Sequence, residues 1–521
     1  MLMRTTLVGL VMALSLAGCG EMMTADGGTG GGSATGGGSA TGGGSATGGG
    51  GSATGGGSAT GGGGGATGGG AATGGGSATG GGSATGGGSA TGGGSATGGG
   101  GTDAGLLILT PGELAIAATF SPLPALPPDP TNAFADNANA AILGQRLYMD
   151  RSYSGPLQHS SDGGNGSLGD AGVRGLVSCF SCHGTAAGTD NRSIPNNVSL
   201  GTGYGTRNAL GVVNSSFHTW TNWGGRFDTQ WSLPLAVAEN PAIMDSTRLE
   251  VVHMLWNKYR GDYDAVFPVP LDSALDPLAV DAARFPLLGK PKANAAAPDG
   301  VWEMMTPGDR AIANRIYVNY GKAIGAYLRK LTSRDAPFDQ FVAGNHGAIS
   351  QSAQRGFRVF ITTGRCSTCH SGPTFSDNSF HTLGVPQLGV RVPANDLGRF
   401  QDVPGLVGSA FNSSGAFSDA DAGRIANLVQ VDAMRGQFRT PLLRGLSTSA
   451  PYMHSGQLAT IEDVINFYDT GGGAPPDAGT IDPLLMPLGL TQQEKDDLAA
   501  FLRTLDGAPI PQVLLDDTSR P

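Results

Sequence analysis

Cysteine is scarce in this chain, with five residues in 521. Four of them stand in two copies of one short pattern and only Cys19 lies outside, so no thiols are left over for other uses. Positive charge is in deficit: 31 Lys and Arg face 41 Asp and Glu, for a formal net charge of −10. That balance argues against nucleic acid as a partner and suits a small basic redox protein. The apolar run from Leu7 to Leu16 is too short to span a bilayer as a mature helix. Strand signals are few, which leaves a mostly helical reading.

The repeated pattern is Cys-x-x-Cys-His, at Cys179-Phe180-Ser181-Cys182-His183 and Cys366-Ser367-Thr368-Cys369-His370. This is the attachment signature of a c-type haem. Two thiols add across the porphyrin's vinyl groups, and the adjoining imidazole is placed to ligate the iron. Structural zinc and a redox disulfide are the competing readings. A four-cysteine zinc site would need both pairs to converge, and neither alternative requires His183 and His370 in the same place after the second cysteine.

One basic residue, Arg4, precedes the Leu7–Leu16 run, and Leu16-Ala17-Gly18-Cys19 follows it. Residues 1–18 read as a secretory signal, and the small residues before Cys19 resemble a bacterial lipobox. Cleavage before Cys19 and lipidation of its sulfur would anchor the protein to a membrane, in the periplasm or at the cell surface, without spanning it. That fits haem c, which bacteria attach outside the cytoplasm. Residues 19–105 form a linker in which Ser-Ala-Thr-Gly-Gly-Gly recurs from Gly27 to Gly101. It has no apolar face to stack and reads as a disordered tether. Its root-mean-square reach over roughly 75 residues is about 50 Å.

The remaining body looks duplicated. Leu143-Gly144-Gln145-Arg146-Leu147-Tyr148 precedes the first haem motif and Arg355-Gly356-Phe357-Arg358-Val359-Phe360 the second, with Gly, Arg and an aromatic in matching order. The Gly/Ser/Asp-rich stretch from His159 to Gly175 interrupts the first copy as an insertion. Apolar residues at Ile312, Ile316, Tyr320, Ile324, Tyr327 and Leu328 predict a helix over 311–331 that closes the first domain. Thr491-x-x-Glu494 is a capping box that opens a last helix through Leu498, Phe501, Leu502 and Leu505, with Gly507 as its stop. The expected fold is mainly α: two cytochrome-c-like haem domains with long irregular loops, residues 120–335 and 336–510, preceded by the Gly-rich tether.

These residues resemble the bacterial di-haem cytochrome c peroxidase and MauG superfamily over about 120–510. The resemblance rests on Leu143-Gly144-x-Arg146-Leu147, Arg207-Asn208-Ala209, Trp223-Gly224-Gly225-Arg226 and Asp396-Leu397-Gly398-Arg399-Phe400. Its most specific stretch is Phe438-Arg439-Thr440-Pro441-x-Leu443-Arg444 running into Ala450-Pro451-Tyr452-Met453-His454-Ser455-Gly456. It implies that hydrogen peroxide reacts at the N-terminal haem and that the C-terminal haem relays electrons or stores oxidising equivalents. His183 and His370 would be the proximal ligands and Trp223 the short electron path between the haems. The subfamily-defining sixth-ligand position falls on Tyr468, whose phenolate would stabilise ferric and ferryl iron and point to MauG-like chemistry. Met453, a thioether that would favour ferrous iron, is the rival. His454 would serve the second haem's propionates or the route between domains. A calcium ion would lie between the haems, bound by Asn208 and the backbone carbonyls of Ser449 and Pro451.

The pattern also departs from the family. Peroxide heterolysis needs a proton-shuttling base and a neighbouring amide. Counted without gaps from Trp223, the family's Gln and Glu fall on Leu233 and Ile243. A shifted loop would use Gln230 and Glu239, but Asn240-Pro241-Ala242-Ile243-Met244 matches the family's Asn-Pro-x-Glu-Met and favours a true replacement by Ile243. Leu200 stands where a capping His is found in peroxidase members, and His218 is a poorly spaced substitute. Two functions follow from the resemblance. One is an extracytoplasmic peroxidase-like oxidoreductase that reduces peroxide with electrons from a small cytochrome or cupredoxin, or oxidises a protein target. The other is a non-catalytic di-haem electron carrier.

Overall fold

The computed structural model of the protein describes residues 106–160, 168–183, 198–292, 300–474 and 478–521. The 1–18 segment read as a signal, Cys19, the repeat and the middle of the 159–175 stretch lie outside these residues. Helices and irregular loops make up the described chain. The one sheet pairs Phe380–His381 antiparallel with Phe438–Arg439, in the register Phe380 to Arg439 and His381 to Phe438. No helix among the described residues is long and apolar enough to cross a membrane.

Each half is organised by one helix crossing. In the first, Ala138–Met149 packs on Pro307–Leu328, and in the second, Gln351–Ile361 packs on Gln492–Arg503. The duplicated glycines sit at the two crossings. A Cβ on Gly144 would stand 2.0 Å from the Ala323 carbonyl oxygen and 2.9 Å from Tyr327 Cβ, and one on Gly356 1.9 Å from the Asp497 carbonyl oxygen and 2.8 Å from Phe501 Cβ. Only a residue without Cβ lets the backbones approach so closely. The aromatic four residues on then meets the aromatic of the partner helix. Tyr148 and Tyr327 lie with ring centroids 5.2 Å apart, Phe360 and Phe501 5.3 Å apart.

The helix predicted over 311–331 runs from Pro307 to Leu328. Thr306 caps it by accepting from the Asp309 N–H, and Pro307 fills the first turn, a start signal that apolar spacing alone does not register. It ends at Leu328 with Arg329 as its C-cap, whose N–H donates to the Gly325 carbonyl and whose guanidinium is held by Asp136 and the Pro127 carbonyl. The Thr491 capping box forms with both of its bonds.

Two apolar cores result, and the chain ends cross between them. Leu109, Ala117 and Phe120 precede the first half in sequence yet pack into the second core with Phe338, Phe357 and Phe501. Ile510, Leu514 and Leu515 return to the first core. Polar ties hold both excursions. Gln354 Nε2 donates to the Leu106 carbonyl (3.0 Å), and Tyr327 Oη and Gln145 Nε2 donate to the carbonyls of Leu514 (2.5 Å) and Val513 (2.8 Å).

Candidate haem sites

Cys179–His183 forms a short helix against the first core. The Cys182 thiol is buried and donates to the Leu200 carbonyl at 3.6 Å, and Tyr148 Oη donates to the His183 carbonyl at 3.4 Å. Burial pushes the Cys179 thiol up to about 12. The phenols of Tyr148, Tyr153 and Tyr320 are likewise held far above their ordinary range, chiefly by burial. Tyr153 and Tyr320 share a hydrogen bond of 2.8 Å.

The second motif begins as a 3₁₀ turn over Cys366–Thr368. The His370 N–H donates to the Cys366 carbonyl at 2.9 Å. Its ring Nδ1 lies 2.9 Å from the Phe375 carbonyl oxygen, which fixes Nδ1 as the donor and leaves Nε2 with a lone pair for a metal. Burial lowers the imidazole's pKa and keeps it in the ligating neutral form. Burial raises the Cys366 thiol to about 12. A cavity of about 520 Å³ opens here, lined by the motif together with Trp223, Arg439, Met453, His454 and Tyr468. Its size suits a large organic cofactor.

Neither competing reading of the cysteines fits. Thiols pushed up by burial are poor redox nucleophiles. The two pairs pack against separate cores and do not converge on one zinc. Among the described residues, one cluster has metal-ligand spacing, Cys369, Asp377 and His381. It includes one of the thiols that the haem signature reserves for attachment.

The remaining candidates gather at the second motif's cavity and beside it. Trp223 Nε1 donates to the Asn208 carbonyl at 2.8 Å, and the Asn208 N–H donates to the His454 carbonyl at 2.8 Å. Asn208 is thereby tied to the loop that carries Ser449 and Pro451, both on the cavity wall. Its side-chain Oδ1 accepts from Ser199 Oγ at 2.6 Å and from the Ala209 N–H at 3.0 Å. His454 is 3% exposed, stacks on Phe438 at 3.8 Å, and is pushed down to about 3 by burial. Tyr468 ends the Ile461–Asp469 helix and lines the cavity beside both thiols of the second motif. Burial raises its phenol well above the usual range. Met453 lines the same cavity from a left-handed backbone position (φ 71°).

His218 belongs to the second motif's cavity. Its Nδ1 accepts from Arg439 at 2.5 Å, so it does not stand in for Leu200 at the first motif. Ile243 and Leu200 do lie on the first motif's side. Ile243 packs on the same core as Cys179, and its carbonyl accepts from the Thr202 N–H at 2.9 Å. Glu239 gives both carboxylate oxygens to Arg248, each at 3.0 Å, and Gln230 Nε2 donates to the Ser215 carbonyl at 2.7 Å. The shifted pair is thus committed to holding helices.

A model of the family described as di-haem cytochrome c peroxidase matches residues 138–347. The cytochrome-c peroxidase IdrP2 of Denitromonas iodatirespirans is 30% identical over 410 residues, covering 78% of this chain and 90% of that protein. The chain belongs to the di-haem cytochrome c peroxidase family. It is also 35% identical over 187 residues to the methylamine utilization protein MauG of Methylorubrum extorquens, covering 36% of this chain and 44% of that protein. A crystal structure of a variant of the diheme peroxidase BthA from Burkholderia thailandensis shares the fold at a TM-score of 0.50 and 18% identity, covering 77% of this chain and 95% of that one. Membership implies two c-type haems, and the paired free thiols, the oriented His370 and the cavity at the second motif fit such a group.

The family motifs also gain a physical reason. Arg207 forks onto both oxygens of Asp396 at 2.7 Å each and reaches Asp402 at 2.8 Å, all buried. The Arg399 guanidinium lies over the Phe380 ring at 3.7 Å and the Trp220 ring at 4.8 Å. Composition and spacing missed this network, but the recurrence of Arg and Asp in the quoted motifs was its signal.

Proposed function

We propose that the protein is a peroxidase-like di-haem oxidoreductase in which the two halves have different tasks. The first takes hydrogen peroxide, and the second passes or stores electrons supplied by a small cytochrome or cupredoxin, or drawn from a protein target. One observation carries this reading: Tyr468 and Met453 line the cavity of the second motif, whereas the first motif's side presents Leu200 where peroxidase members have a capping His. A haem bound at each Cys-x-x-Cys-His would supply the redox chemistry. His183 and His370 would hold the iron, Tyr468 would complete the second site, and Trp223, fixed by Asn208, would lie on the electron route. The Asn208 tie to the 449–454 loop also favours a calcium ion at Asn208, Ser449 and Pro451, if the carboxamide turns from Ser199. Export through the 1–18 signal and a lipid anchor at Cys19 would place this chemistry in the periplasm or at the cell surface.

Single-turnover mixing of the diferric protein with one equivalent of peroxide tests the reading. Oxidation that starts at the His183 haem and spreads to the His370 haem is expected. A specific observation favours a second reading, the non-catalytic electron carrier: Leu233 and Ile243 cannot move protons. No reaction with peroxide over minutes, together with reversible reduction of both haems by a small cytochrome, would select the carrier.

A further inference from the structure

Buried arginines in this protein come with carboxylates. Arg207 has Asp396 and Asp402, Arg248 has Glu239, Arg329 has Asp136 and Arg444 has Asp339. Arg399, which lacks a hydrogen-bonded carboxylate, is instead held between Phe380 and Trp220. Arg439 has neither arrangement. It is 3% exposed. Its Nη1 donates to His218 Nδ1 at 2.5 Å and to the Thr440 carbonyl at 3.2 Å, its Nε is buried without a partner, and no carboxylate among the described residues pairs with it. An unpaired buried guanidinium is costly enough that it requires a counter-ion.

One further buried polar atom without a hydrogen-bond partner, Gln387 Oε1, belongs to a residue on the wall of the same cavity. A buried guanidinium N–H without a partner on the wall of a cavity of this size points to an anionic ligand group rather than to a packing defect. Burial alone drives the Arg439 pKa down to about 9, with no carboxylate among the described residues to offset it. The Arg439 N–H donates to the Trp223 carbonyl at 2.8 Å, so this end of the cavity adjoins the indole.

We infer that Arg439 is the charge partner of a haem propionate at the second motif, positioned by His218 and adjoining Trp223. The inference rests on the two-haem reading and adds a residue to it. A guanidinium favours bidentate pairing with a carboxylate, and a fixed positive charge beside a haem favours its reduced form.

The holoprotein is tested by spectroelectrochemical titration, after its haem content has been measured by mass. In Arg439→Gln the reduction equilibrium of the His370 haem should fall about tenfold, which is about 59 mV for a one-electron couple. Arg439→Lys should restore at least half of that shift, and the His183 haem should be nearly unmoved. Two haems per chain with an unchanged His370-haem potential in Arg439→Gln would overturn the assignment alone. A chain that carries no haem at Cys366 and Cys369 would overturn the two-haem reading beneath it. A crystal structure of the wild-type holoprotein decides the matter without any variant. A propionate within hydrogen-bond distance of Arg439 is expected, and a guanidinium met only by water or by a protein carboxylate would overturn the inference.

Discussion

Around Cys179 the helix crossing is built with tyrosine, and around Cys366 with phenylalanine. Tyr148 and Tyr327 in the first half answer to Phe360 and Phe501 in the second, each ring standing four residues beyond a backbone contact at Gly144 or Gly356. The crossing needs ring volume and a missing Cβ, and both halves keep these. The hydroxyls do different work. Tyr148 holds the His183 carbonyl and Tyr327 the returning chain end at Leu514. In the second half the N-terminal segment is held instead by the Arg358 and Glu113 pair. The two halves share the packing of the crossing, while the side chains beside the two motifs differ. Beside the motifs the contrast is apolar Leu200 and Ile243 at the first against Tyr468, Met453 and Arg439 at the second.

The sharpest way to break this contrast is to restore proton handling to the first half. If each missing group costs about 10² to 10⁴ in the chemical step, Ile243→Glu should accelerate peroxide oxidation of the His183 haem by a factor in that range, and adding Leu233→Gln should accelerate it further. Stopped-flow mixing reads it. Fast reaction in the wild type that is lost in Glu239→Gln and indifferent to Ile243 would show that the shifted pair serves instead.

Next in size is the Arg207 network. Arg207→Ala leaves Asp396 and Asp402 buried without their cation and should destabilise the protein by about 3–5 kcal/mol in denaturant unfolding. A loss below about 1 kcal/mol would mean that solvent reaches the pair. The duplicated glycines come third. Gly144→Ala and Gly356→Ala should each cost about 1–3 kcal/mol or more from overpacking, and by similar amounts. Tolerance at one site alone would mean that the crossings are not equivalent.

The smallest effect is electrostatic. Arg358 holds the Glu113 carboxylate down to about 2, from an ordinary 4.5. A carboxylate lowered on folding adds stability that is present above about 4.5 and lost as the pH falls toward 2. The melting temperature of Glu113→Gln should therefore lie slightly below that of the wild type at pH 7, and the gap should shrink below about pH 4.5 and close only as the pH falls through about 2. A gap independent of pH would assign the difference to packing.

Much of this was legible in the residues. The haem motifs, the paired Gly and aromatic positions and the Thr491 box depend on local spacing, and local spacing is what a chain displays. The Gly144 and Gly356 pairing was visible as a repeat, although its cause, a helix crossing with partners at Ala323 and Asp497, was not. The exchange of chain ends was hidden because Leu109 and Ile510 look like ordinary apolar residues near a boundary. The Arg248–Val266 helix was overlooked despite a Thr247 and Glu250 capping box, since its apolar face is interrupted by charge. Arg439 was quoted within a motif and given no role. A buried cation declares its need only when its surroundings are known.

Electron paramagnetic resonance of the diferric protein tests the division between the halves most directly. A high-spin, five-coordinate centre at the His183 haem is expected beside a low-spin His–Tyr centre at the His370 haem, with Tyr468→Phe changing the second signal alone. Two low-spin centres, or a low-spin signal that survives Tyr468→Phe and disappears in Met453→Leu, would contradict that assignment.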